Sequence, residues 1–240
     1  MLDDSRMPSA EVLAALPIFP LPNTVLLPGM VLPLNVFEPR YLELVDFVEA
    51  EGIGHIGVPL LRPGFEDDYE GRPAIEEVFG VGRMVSHQRL PNGRRFIRLE
   101  GLGRVRMRQE LPPRASFREV SVDPLDEDEP DDHHQLEVLR AQLERICSTL
   151  DAEDERLVHN VLAMPDARLM TYALTAILPT LGYGTFGDSS VQGRPTLLDL
   201  QQRCLQAQTA DARVETLLGC FCGICDDLGD SGRFPRYVWN

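Results

Sequence analysis

Between Leu16 and Tyr41 the chain reads LPIFPLPNTVLLPGMVLPLNVFEPRY, and prolines at 17, 20, 22, 28 and 33 cut its apolar residues into runs too short for a helix. Proline lacks a backbone N–H, so within sheets it is confined to edges and bulges. The runs Ile18–Leu21, Val25–Leu27 and Val31–Val36 therefore read as short strands of that kind. The pattern then changes. Tyr41, Leu44, Val45 and Val48 recur at the spacing of one helix face, with Glu43, Asp46 and Glu49 on the others. Pro39 suits the first helical position and Gly52 suits the stop. Phe37 and Leu42 are spaced to form a hydrophobic staple across the helix start. Glu38 is not a preferred N-cap residue, which leaves its carboxylate for another partner.

Strand signals continue beyond this helix. His55–Leu61 reads as a buried strand, and Arg62–Pro73 as a polar, turn-rich loop. Val78–Leu90 and Arg94–Arg108 are strands joined by the hairpin signal Pro91-Asn92-Gly93. Ile97, Leu99, Val105 and Met107 share one parity along the second of them. Arg98, Glu100, Arg104, Arg106 and Arg108 share the other, which predicts one Arg-rich outer face. Gly101 and Gly103 mark a bulge or bend between the two ends. Phe117–Val122 closes the β-rich part.

From Leu125 to His134 the chain is a charged linker, LDEDEPDDHH, and beyond it the apolar period is helical. Leu136, Leu139, Leu143, Ile146 and Leu150 form one stripe, and Leu157, Val158, Val161 and Leu162 a second. Met170, Ala173, Leu174, Ile177, Leu178 and Leu181 form a third. A Gly/Ser loop over Gly182–Arg194 precedes two further helices, Thr196–Gln206 and Ala212–Leu228. Charge divides at the same place. Residues 1–124 carry 18 acids against 14 Arg, and residues 125–240 carry 20 against 9. Two structural units are expected, a β-rich one over 1–124 and a helical one over 125–240.

Composition excludes several functions. All 23 basic residues are arginine, and the 240-residue chain contains no lysine. A Walker A loop needs a lysine to reach the β- and γ-phosphates, and a Ser-Lys protease needs one to activate its serine. The net charge of −15 opposes nucleic acid as a main partner. No apolar run approaches the length of a membrane span, and the N-terminus MLDDSRMPSAE carries no signal-peptide pattern. Five cysteines in a chain of this size fit a reduced, cytoplasmic protein. No catalytic constellation and no cofactor site can be read.

The stretch from Leu16 to Tyr41 strongly resembles the opening of the N-terminal, substrate-binding domain of the Lon protease family. GVGRMVSHQRLPNGRRFIRLEGLGRVRM resembles that family's strand–hairpin–strand. MPDARLMTYALTAILP and LQQRCLQAQTADARVETLL, including Arg213, resemble its later helices, with the family's Asp-Pro dipeptide reversed as Pro165-Asp166. The resemblance implies an α+β fold, a twisted PUA-like pseudo-β-barrel of about six strands with one helix, followed by an α-helical bundle. It implies a stand-alone recognition module without the ATPase and protease domains, whose partners are polypeptide segments or a protease.

The candidate peptide-binding residues are Leu27, Pro28, Met30, Phe37, Arg40 and Tyr41. Leu26-Leu27-Pro28-Gly29-Met30 is an apolar turn that either offers a contact surface or folds over the barrel mouth. Arg40 and Tyr41 either rim a peptide site, or belong to a helix start in which Tyr41 packs inward and Arg40 pairs with Glu38 or Glu43. The stripe Arg98, Arg104, Arg106 and Arg108 would meet acidic peptides or the acidic second half of the chain. Cys220, Cys222 and Cys225 lie on a continuous helical pattern and read as core rather than as a metal site. His133 and His134 read as solvated linker residues. The expected activity is non-catalytic binding of unfolded or extended polypeptide, as a recognition or adaptor module. The alternative is a small-molecule-binding regulator using a cleft between barrel and bundle.

Overall fold

The computed structural model describes residues 7–69, 71–126, 130–131, 133–148, 150–179, 181 and 196–231, with the backbone alone at 133 and 221–231. Two units are distinguished, Met1–Asp126 and Glu127–Asn240. The predicted Gly182–Arg194 loop lies outside the described residues.

The first unit holds strands β1 (Leu16–Ile18), β2 (Val31–Val36), β3 (His55–Val58), β4 (Val78–Arg89), β5 (Arg95–Glu110) and β6 (Arg118–Leu125). Helices α1 (Ala10–Ala14) and α2 (Pro39–Ala50) and a 3-10 turn over Phe65–Asp68 complete it. The strand order is β2-β5-β4-β3-β1-β6, and β5 pairs with β6 as well. Strands β5, β4, β3, β1 and β6 thus wind back on β5, and β2 hangs on the outside of its first half. The result is a pseudo-barrel rather than a fully laddered cylinder. β1 is three residues long and meets β3 at the single pair Ile18↔Gly57. β2 is an edge strand, as its Pro33 requires, whereas β1 lies between two partners despite Pro17. Val25–Leu27, expected as a strand, forms none.

Three extra residues interrupt this sheet, Arg108 of β5 opposite β6 and two in the pairing of β4 with β5. Between the pairs Val81↔Gly103 and Gly82↔Gly101, β5 carries Leu102 as a bulge. A one-residue shift turns every later side chain to the opposite face. Ile97 and Leu99 therefore do not share a face with Val105 and Met107, contrary to the simple parity count. Ile97 and Leu99 pack with Tyr41, Leu44, Val45 and Val48 of α2. Val105 packs inside the barrel with Leu16, Ile18, Phe79, Val81, Val120 and Val122. The other extra residue of that pairing is Val85 of β4, between Met84↔Leu99 and Ser86↔Arg98.

The second unit is helical: α3 (His133–Cys147), α4 (Ala152–Leu162), α5 (Ala167–Ile177), α6 (Leu197–Gln206) and α7 (Ala210–Ser231). The predicted stripes supply its core through Leu139, Leu143, Ile146, Val158, Met170, Leu174 and Leu178, while Leu157 is exposed. Side-chain caps start four helices, α7 among them, where Thr209 accepts from the Ala212 N–H at 3.1 Å. Asp151 caps α4, Asp166 caps α5, and Thr196 with Asp199 forms a capping box on α6.

Asp166 accepts from the backbone N–H groups of Arg168 and Leu169 at 3.0 and 3.1 Å, and pairs with the Arg168 guanidinium at 3.0 Å. Burial pushes its carboxyl up, but the Arg168 and Leu169 donors outweigh this and lower it from 3.8 to about 2. A depressed carboxyl contributes stability that is full above its unfolded value and lost as pH falls through the folded one. Between pH 4 and 2 the helical unit is therefore expected to lose stability through Asp166. Asp166→Asn retains a cap and should flatten this part of the acid limb in melting scans. An unchanged acid limb would count against the assignment.

Candidate functional site

The Phe-Glu-Pro-Arg-Tyr motif ties down the start of α2. Pro39 opens the helix, and Glu38, its N-cap, makes no capping bond with its side chain. The Glu38 carboxylate instead accepts from Arg40 at 2.9 and 3.1 Å and from the Tyr69 hydroxyl at 2.9 Å. Arg40 also donates to the Tyr69 carbonyl at 3.0 Å, and its guanidinium lies over the Tyr41 and Tyr69 rings. Tyr41 is buried, stacks on Phe19 at 4.0 Å and donates to the Pro20 carbonyl at 3.4 Å. Burial pushes its hydroxyl pKa up, so the hydroxyl stays protonated. The network joins α2 to the 62–73 loop and leaves neither Arg40 nor Tyr41 presented as an open rim.

The apolar turn is held with equal firmness. Met30 donates its N–H to Leu27 at 3.1 Å, and Gly29 has φ 78°, the geometry of a type II turn with proline second and glycine third. Gly29 donates to the Gly101 carbonyl and Gly101 to the Met30 carbonyl, both at 2.8 Å. Leu26, Leu27 and Pro28 are buried, and Met30 is half-exposed. The chain approaches so closely because the sheet beneath has no side chains there. A Cβ on Gly80 would lie 2.0 Å from the Leu26 carbonyl oxygen, and one on Gly101 2.2 Å from that of Leu27.

Exposed apolar surface gathers elsewhere. Val31 is 45% exposed, Phe37 59% and Val85 44%, three of the four large exposed hydrophobics among the described residues. Register places Val31 on one face of β2, β5 and β4, and the alternation of β2 carries Phe37 toward the same side. Rows across it are Val31–Glu100–Arg83, Pro33–Arg98–Ser86 and Asn35–Phe96–Gln88, with Phe37 following β2 and Val85 bulging from β4. The Arg94 guanidinium lies 5.5 Å from the Phe37 ring centre. Phe37, expected to staple the helix start, thus leaves most of its ring in solvent. Of this face, sequence reasoning found Phe37 and, at its margin, Met30. It missed Val31, Pro33, Val85 and Phe96. The alternation of Val31, Pro33 and Asn35 with the more buried Leu32, Leu34 and Val36 was the available signal.

The predicted arginine stripe is broken by the Leu102 bulge. Arg98 faces the exposed surface, while Arg104 and Arg106 fall on the opposite face of β5. Arg104 is buried, with Nη2 3.5 Å from the Asp126 carbonyl. Arg108 is held by Asp123, which raises its pKa and lowers that of the aspartate.

A groove of about 450 Å³ beside α2 has a floor of Phe47, Ala115 and Phe117. On its rim Arg114 binds Glu119 at 2.8 and 3.0 Å, Asp46 binds Arg95, and Glu43 accepts from Ser116. Its charges are engaged internally. Among the described residues no group of three or more His, Cys, Asp or Glu could hold a metal ion. Cys220 is a half-buried thiol, and the side chains of Cys222 and Cys225 lie outside the described residues. No helix among the described residues is long and apolar enough to cross a membrane.

Comparison with known proteins agrees with this architecture. The family model described as the ATP-dependent protease La (LON) substrate-binding domain matches residues 15–181. The Lon protease of Flavobacterium johnsoniae is 28% identical over 131 residues, 55% of this chain and 16% of that protein. Lon protease 2 of Sorangium cellulosum is 29% identical over 188 residues, 76% of this chain and 19% of that protein. The chain thus spans less than a fifth of the length of these curated relatives. The Lon N-terminal domain protein from Xanthomonas campestris superposes with a TM-score of 0.56 at 25% identity, covering 85% of this chain and 97% of that one. The N-terminal domain of the Mycobacterium avium complex Lon protease shares the fold, with a TM-score of 0.52, 15% identity, and coverage of 87% and 98%. With a family model matched over more than half its length, the chain belongs to the Lon substrate-binding domain family.

Proposed function

We propose that the chain binds unfolded or extended polypeptide through the exposed face of β2, β5 and β4, as a non-catalytic recognition or adaptor module for proteolysis in the cytoplasm. The observation that carries this reading is the clustering of Val31, Phe37 and Val85 on one sheet face. Exposed apolar surface gathered on one side of a soluble protein marks contact sites. Family membership supports polypeptide as the ligand class. The absence of lysine supports the non-catalytic part.

The contact is through side chains rather than by adding a strand. Met30 uses its carbonyl toward β5, so by the antiparallel alternation the backbone groups of Val31, Pro33 and Asn35 point away from the sheet. Pro33 has no N–H to offer, which interrupts any ladder with an added strand.

Fluorescence anisotropy with a labelled, permanently unfolded client tests the proposal. Val31→Asp combined with Phe37→Ser removes apolar burial worth about 25 cal/mol per Å² and should weaken binding about tenfold or more. Met30→Asp, at the margin, should have a smaller effect. Binding unchanged in the double variant, with the melting curve preserved, would reject this face as the site.

A further inference from the structure

The exposed apolar face has a cation at its centre. Arg83, in the row beside it, is engaged by Glu100 at 2.9 Å, and Arg94 lies over the Phe37 ring. Arg98 is exposed and, among the described residues, has no hydrogen-bond or ion-pair partner. It sits between Pro33 on β2 and Ser86 on β4, with Phe96 two residues along its own strand and Val31 diagonal to it. Three arginines and one glutamate thus share this face, in a chain whose net charge is −15. A local positive centre bordered by Pro33, Phe96 and Val31, with Ser86 and the Arg83-paired Glu100 on its remaining sides, complements one kind of segment, an apolar one bearing a carboxylate.

We propose that Arg98 makes this face selective for apolar segments that carry an aspartate or glutamate side chain among their apolar residues. The inference rests on the polypeptide-binding reading and adds the substrate class to it. The apolar neighbours supply the contact area, and Arg98 supplies the choice. A guanidinium offers a planar fork of donors matched to a carboxylate, and lowering the local water content around the pair strengthens it. A segment with lysine at that position would meet like charge, which opposes binding.

Four labelled peptides of one alternating apolar pattern test this against the full chain by anisotropy. Three have amidated C-termini and Asp, Asn or Lys at the central position. The fourth has central Asn and a free C-terminal carboxylate. An exposed charge pair is worth up to about 1 kcal/mol, so the Asp peptide should bind about fivefold more tightly than its Asn counterpart. Against the Lys peptide the preference should be about tenfold, falling as salt rises through the physiological range. Arg98→Gln should abolish the preference while leaving affinity for the amidated Asn peptide within about twofold. Arg106→Gln, on the opposite face of β5, should preserve it. Equal binding of the Asp, Asn and Lys peptides by the unaltered chain overturns the role of Arg98 but leaves apolar recognition standing. Discrimination that survives Arg98→Gln, loss of all peptides in that variant, or preference confined to the free C-terminal carboxylate also overturns it. Failure of every peptide to bind the unaltered chain rejects both readings.

Discussion

Gly101→Ala and Gly80→Ala are each expected to cost the β-sheet unit about 3 kcal/mol, the upper part of the range for forcing atoms into a packed site. Neither glycine has a positive φ, so the need is for space rather than for a special backbone conformation. The new methyl carbon would lie 2.0 Å from a carbonyl oxygen at position 80 and 2.2 Å at position 101, and the two nearest atoms it meets at each are backbone. A flexible side chain could swing away; the Leu26–Leu27 backbone is pinned to the sheet by the bonds of Gly29 and Met30 to Gly101 of β5. Displacing it would also uncover Leu26 from the core shared with α2. Gly219→Ala provides the contrast. Nothing lies within 4 Å of a Cβ there, and the residue is exposed inside α7. Alanine should stabilise that helix by about 0.5 to 1 kcal/mol. Urea titrations of the three variants check the contrast. Wild-type stability in both sheet variants would show that the Leu26–Leu27 segment is not held against the sheet as described.

Arg213→Ala should cost the helical unit about 4 kcal/mol, combining a cavity with buried hydroxyls deprived of a partner. Arg213 is fully buried in α7. It donates to Thr171 Oγ1 at 2.7 Å and to the Tyr172 hydroxyl oxygen at 3.0 Å, and its guanidinium lies 3.8 Å from the Tyr172 ring centre. Thr171 and Tyr172 lie on α5, so this one side chain fastens two helices that are distant in sequence. Arg213→Lys keeps the charge but loses the planar fork and should recover less than half of the loss. Arg213→Met tests whether charge or volume matters, since apolar replacements of buried ions are sometimes tolerated. If Arg213→Met melts within about a degree of wild type, the hydrogen bonds contribute little and the stem alone packs the site.

Local rules made much of this fold legible. The stripe Tyr41, Leu44, Val45 and Val48, the Pro91-Asn92-Gly93 turn and the Thr196 start of α6 depend on neighbours within a turn or two, and the structure has them where the spacing puts them. What escaped depends on partners far along the chain. The arginine stripe failed because parity was counted through Leu102, and only pairing with Val81 and Gly82 reveals that residue as surplus. Val25–Leu27 read as a strand because its apolar composition says nothing of the glycines beneath it at 80 and 101. The same limit governed the candidate site. Met30 and Phe37 were visible as apolar residues beside turns. Arg40 and Tyr41 drew notice through their motif, yet their partners include Tyr69 and Phe19, whose proximity no local pattern announces. Val31, Val85 and Phe96 form a surface only once three strands are in register.

Pro33 bears on how such a protein survives in a crowded cell. A strand pairing on one side only, with valine and phenylalanine nearby, is a template on which further copies could stack into fibres. Growth of that kind needs an unbroken row of outward amide hydrogens, and the proline ring interrupts the row at its middle. The surface can therefore stay adhesive toward other chains while being a poor seed for its own polymerisation.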